Sequence, residues 1–98
     1  MASTYSSTKK MDRLLKQASR KAPRLYDELC TQQYVIVQNP GIGSYLKGDL
    51  QGFQSYDFKF DQVSLRICYL YSESNDHITF VYFGTRENFY DEVKRYLI

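Results

Sequence analysis

The sequence predicts an α+β protein in which a helical hairpin packs on a three- or four-stranded antiparallel sheet, with a short C-terminal helix closing the fold. Three observations carry this. Apolar residues recur at helical spacing over about residues 8–38, the period falls to two over about residues 54–84, and a capped helical pattern returns over about residues 88–97. A chain of 98 residues has room for one domain spanning 1–98.

The first helix is predicted from Thr8 to Arg20, where Met11, Leu14, Leu15 and Ala18 form one stripe and the charges fall between them. Ala22-Pro23 restarts the chain, since proline suits a first helical position. Leu25, Leu29, Cys30 and Ile36 then carry a second stripe toward Val37, and Asn39-Pro40-Gly41 ends it. Four glycines between Gly41 and Gly52 favour a loop over regular structure.

Beyond the loop Tyr56, Phe58 and Phe60 alternate with Ser55, Asp57 and Lys59. After a turn at Asp61-Gln62, Leu65, Ile67, Tyr69 and Tyr71 alternate with Arg66, Cys68 and Leu70. These are two strands of a hairpin. The polar stretch Ser72 to His77 is a turn, and Ile78 to Phe83, apolar on both faces, is a central strand. Asn88 offers a cap with Asp91 three residues on, and Val93 and Leu97 continue the helix it opens.

Hydrophobic residues make up 43% and charged residues 24% of the chain, which argues against disorder and against fibrous or membrane classes. Ten Tyr and six Phe without Trp suit a small core with wet edges. Cys30 and Cys68 alone give neither a disulfide framework nor a zinc site. The polar start Met1-Ala2-Ser3-Thr4-Tyr5 lacks an apolar leader, so a cytoplasmic location is expected. Charge is uneven: Lys9, Lys10, Arg13, Lys16, Arg20, Lys21 and Arg24 stand against Asp12 alone in residues 1–24, while the remaining six cations face ten acids. Such an end attracts polyanions or an acidic partner; it reads equally as a solvated helix face.

The stretch NPGIGSYLKGDLQGFQSYDFKF, followed by LRICYLY, resembles the central signature of RelE/ParE toxins, in which an Asn-Pro ending a helix leads through L-x-G-x-L-x-G to a strand and then R-x-x-Y. FGTRENFYDEVKRYL is similar to that family's closing strand and helix, and the resemblance spans about Gln38 to Leu97. Members usually begin with an apolar strand, whereas Thr4-Tyr5-Ser6-Ser7 is short and polar, so the first strand is expected to be degraded or lost.

The resemblance implies a toxin of a type II toxin-antitoxin system that cleaves mRNA in the ribosomal A site, the ribose 2′-hydroxyl attacking the adjacent phosphate. It implies catalytic roles for Lys59, Arg66, Arg86 and Tyr90: both arginines on the phosphate, Lys59 assisting, and Tyr90 stacking on a base or moving a proton. No metal or other cofactor is implied. The implied partners are a cognate antitoxin, the ribosome and mRNA, with no membrane. A non-enzymatic ParE-like inhibitor of DNA gyrase and a decayed toxin acting only as a binding module are the alternatives.

Each residue also has a plainer reading. Lys59 and Arg66 fit solvent-facing strand positions, Tyr90 fits packing beside Phe89 and Val93, and Glu87 fits the start of a helix dipole. His77 reads as a solvent-facing tip residue, and Cys68 has no sequence-adjacent base to activate it. Asp57 stands where the most basic members carry a second lysine, so it is expected to pair with Lys59 or Arg66 and to repel phosphate, or else to act as the general base.

Overall fold

The computed structural model describes residues 2–85 and 89–97. In chain order the elements are β1 (Thr4–Ser7), α1 (Lys9–Lys21), α2 (Pro23–Gln38), β2 (Ser44–Tyr45), β3 (Gln54–Phe60), β4 (Val63–Ser72), β5 (His77–Thr85) and α3 (Phe89–Leu97). Single 3₁₀ turns at Pro40–Ile42 and Gly48–Leu50 shape the glycine-rich loop. The expected α+β class holds, and both hairpins form where the periodicity placed them.

The sheet is wider than expected. It has five strands in the order β1-β5-β4-β3-β2, and it is mixed because β1 runs parallel to β5. The expectation that the first strand is lost is therefore corrected. A polar segment makes a strand here because strand preference is set by neighbours more than by the residue itself. His77 faces Thr4 across the strands, with Nδ1 2.6 Å from Thr4 Oγ1 and Nε2 2.9 Å from Ser6 Oγ. His77 is thus a seam residue and not a free tip.

The adjoining turn fastens the same strand. Ser3 Oγ and Tyr71 Oη donate to the Asp76 carboxylate at 2.6 and 2.7 Å. These donors, Ser3 first, hold the Asp76 carboxyl below its ordinary range. Such a group contributes stability above its unfolded-state pKa, and the contribution is lost as pH falls through the lower folded-state value. Asp76→Asn should therefore lower the melting temperature at pH 7 and flatten its fall below about pH 4, the ordinary carboxylate range. Asparagine keeps the left-handed backbone of this position, where φ is 50°, so a melting series against pH reads the loss of the carboxylate, its charge and one of its two acceptors, without added backbone strain. Parallel curves for both proteins would refute the assignment.

Two cores lie on opposite faces of the sheet. On one, Met11 and Ala18 of α1 and Leu29 and Ile36 of α2 pack on Phe58, Leu65, Ile67, Tyr69, Ile78 and Phe80. Thr8 starts α1 by accepting from the Met11 amide at 3.1 Å while its hydroxyl donates to the Val81 carbonyl at 2.8 Å, so the cap also ties the helix to β5. On the other face Phe89 and Val93 of α3 join Leu46, Leu50, Cys68 and Val81. A bulge explains this second core. The register moves from Tyr69 opposite Phe80 to Cys68 opposite Tyr82, leaving Val81 as an extra residue that turns with Tyr82 toward α3.

The loop before β3 is held by buried polar groups. Tyr69 Oη donates to the Pro40 carbonyl at 2.7 Å and accepts from the Gly43 amide at 2.9 Å. Gln54 Nε2 reaches the Pro40 and Gly43 carbonyls, both at 3.1 Å. Gln54 and Tyr69 are fully buried, so these bonds satisfy groups that would otherwise be costly to desolvate.

Candidate functional site

The β3–β4 hairpin sets the site. Asp61 and Gln62 both take positive φ, 48° and 67°, the pairing a two-residue type I′ turn requires. Arg24 of α2 steadies the tip: its Nη2 is 3.2 Å from Asp61 Oδ1 and its guanidinium lies 5.4 Å from the centre of the Phe60 ring. The turn closes on Phe60 opposite Val63, which fixes Lys59 opposite Ser64 and Asp57 opposite Arg66. Because side chains alternate, Asp57, Lys59 and Arg66 share the face that α1 and α2 do not cover.

These residues line an open depression of about 250 Å³ together with Phe58, Ser64 and Leu65. Arg66 lies low in it, its side chain 12% exposed, while Lys59 is exposed. Asp57 Oδ1 is 2.7 Å from Arg66 Nε, and the Asp57 side chain is 58% exposed. That Nε–H is not aligned on the carboxylate as a hydrogen bond, so the contact is Coulombic, and the exposed partner can give way to another anion. The pairing expected of Asp57 is thus with Arg66.

Across β5, Gly84 stands opposite Arg66. A Cβ there would come within 3.1 Å of Cε2 of the Tyr82 ring, so the bare backbone leaves room for that ring beside the depression. Tyr82 in turn lies 5.6 Å from the Phe89 ring, centre to centre. Sequence reasoning missed Tyr82, which sits in an apolar run and reads as core. Only the bulge at Val81 brings it to this face, and the sequence gives no signal for that bulge.

Of the four expected catalytic residues, Lys59 and Arg66 come together on one face. Arg86 lies outside the described residues, as does Glu87. Tyr90 belongs to α3, with its side chain outside what is described. Cys68 shares the Arg66 face but is buried beneath α3, and burial pushes its thiol up to about 12. It stays protonated and is a poor nucleophile. Among the described residues no cluster of three or more His, Cys, Asp or Glu could hold a metal ion, and no helix is long and apolar enough to cross a membrane.

The arrangement can bind one phosphate. A guanidinium fork, an ammonium beside it and an aromatic ring nearby suit a nucleic-acid backbone and a base. A family model described as the ParE-like toxin of type II bacterial toxin-antitoxin systems matches residues 5–94. Compared by sequence with curated proteins, the chain matches none. Among solved structures, the RelBE2 toxin-antitoxin complex of Mycobacterium tuberculosis is similar with a TM-score of 0.72 at 17% identity, over 88% of this chain and 100% of that one. The YoeB/ParE toxin of Agrobacterium tumefaciens is similar with a TM-score of 0.68 at 17% identity, over 85% of this chain and 98% of that one. A double arginine-to-alanine variant of the E. coli toxin RelE in the free state gives 0.69 at 14% identity, with 100% of both chains covered.

Proposed function

Because the chain belongs to the ParE-like toxin family of type II bacterial toxin-antitoxin systems, we propose that it arrests growth by cutting messenger RNA held on the ribosome. The observation that carries this reading is Arg66, set low in an open depression with Lys59 on its rim and Gly84 opposite it on β5. The ribose 2′-oxygen attacks the adjacent phosphorus, the bond to the 5′-oxygen breaks, and the products are a 2′,3′-cyclic phosphate and a 5′-hydroxyl. Arg66 and Arg86 hold the phosphate and take up the charge that builds in the transition state, with Lys59 assisting. Tyr90 stacks on a base or passes a proton. The reaction needs no metal, since these cations carry the charge.

An antitoxin holds the enzyme in check in the cytoplasm. Support comes from two similar structures that are toxin-antitoxin complexes, from M. tuberculosis and E. coli. The antitoxin carries an acidic, partly disordered segment that folds across the toxin. A second reading, inhibition of DNA gyrase without cutting, is favoured by one observation: Asp57 occupies the very cation that should meet the phosphate. Pulse labelling after induction separates the two. Amino-acid incorporation should collapse before thymidine incorporation; the reverse order would overturn the nuclease reading.

A further inference from the structure

Helix α1 carries a second cationic feature that the cutting reaction does not use. Lys9, Arg13, Lys16 and Arg20 are all exposed and follow one another at steps of four, three and four residues. At 3.6 residues per turn these positions fall within an arc of about 60°, and at 1.5 Å per residue the row is about 16 Å long. Met11 and Ala18, on the opposite side of the helix, are buried against the sheet, so the row points away from it. Asp12 is the one acid of the helix and flanks the row at its start. Among the described residues none of the four cations makes an ion pair.

We propose that this row is a docking surface for the phosphate backbone of double-helical RNA, separate from the cutting site. The choice of RNA rests on the function proposed above. Two arguments favour a nucleic acid over a protein partner. Protein interfaces are depleted of lysine and charge at their centres and need an apolar core, whereas this row has no apolar residue between its cations. Interfaces with nucleic acids are polar and strongly cationic. A straight row on a rigid helix also fits a double helix, whose phosphates keep fixed spacing, better than a single strand that must first be ordered.

The position of the row deepens the functional reading. It lies on the helical side of the sheet, and the Arg66 depression opens on the other side of a molecule whose smallest extent is 24 Å. A target with structured RNA on one side and a message on the other would engage both faces at once.

The test compares the full chain with a Lys9→Gln/Arg13→Gln/Lys16→Gln/Arg20→Gln variant in titrations with a short RNA duplex of arbitrary sequence, between about 50 and 200 mM salt, and in co-sedimentation with vacant bacterial ribosomes. Glutamine is nearly as helix-favouring as lysine and arginine, so the melting temperature should not move. The slope of log affinity on log salt should flatten by about three to four, and co-sedimentation should be lost. An unchanged slope would overturn the proposal. So would unchanged RNA binding combined with loss of antitoxin binding, which would make the row a protein interface. Arg66→Ala keeps the two claims apart: it should leave duplex affinity intact while cleavage disappears, so docking and cutting fail in different variants.

Discussion

Arg66→Ala should lower mRNA cleavage on stalled ribosomes about 100-fold or more, the loss typical when a pre-placed donor to a transition-state oxyanion is removed and equivalent to about 2.7 kcal/mol. The same is expected of Arg86→Ala. The fold should survive the Arg66 change. Its partner Asp57 is 58% exposed, so leaving that carboxylate alone costs at most about 1 kcal/mol. Arg66→Lys should give an intermediate rate, because it keeps the charge and loses the fork. Asp57→Asn should go the other way: it removes the anion that competes with phosphate for Arg66 and should preserve the rate or raise it a few-fold. Full toxicity in both alanine variants would sink the nuclease assignment. Collapse of cleavage in Asp57→Asn would instead make that carboxylate the base that takes the 2′ proton.

Periodicity made most of the scaffold legible, because each helix and each long strand buries one face and so writes its period into the sequence. The shared face of Lys59 and Arg66 followed from alternation alone. The parts that were not legible do not depend on burial of their own side chains. β1 is exposed and polar, and it forms through backbone pairing and the hydroxyl contacts of His77, which come from 70 or more residues away. β2 is two residues long and pairs only with the start of β3. Tyr82 reaches the site because of one extra residue in β5, and no local pattern marks a bulge. Asp57 against Arg66 was readable as a pair sharing a face, but the low seat of the guanidinium was not.

Gly43→Ala should be the most destabilising small substitution in the loop that carries the second core. Gly43 sits in ordinary extended backbone, so the issue is space and not conformational freedom. A Cβ there would lie 2.7 Å from Tyr69 Oη, 2.8 Å from the Ser55 carbonyl oxygen and 2.9 Å from Tyr69 Cε1. Neither neighbour can retreat. The Ser55 oxygen belongs to the backbone of β3, and the Tyr69 hydroxyl is fixed between Pro40, Gly43 and Gln54. Moving the loop outward instead would break those buried hydrogen bonds, each worth about 1–3 kcal/mol when a buried group is left unsatisfied. Overpacking of this kind typically costs about 1–3 kcal/mol, and the melting temperature of a domain this small falls by about 4–8 °C per kcal/mol. Two other glycines calibrate the measurement. Gly41→Ala meets nothing closer than Asn39 Oδ1 at 3.8 Å and should be nearly neutral, and Gly84→Ala meets only the Tyr82 ring, which can turn aside. The same loop carries Leu46 and Leu50 under α3, so the Gly43 variant should also loosen Phe89 and with it the ring of Tyr82 beside the Arg66 depression. Melting curves of the three alanine variants side by side decide the matter: if Gly43→Ala unfolds at the temperature of Gly41→Ala, the Tyr69–Gln54 network does not hold the loop as described.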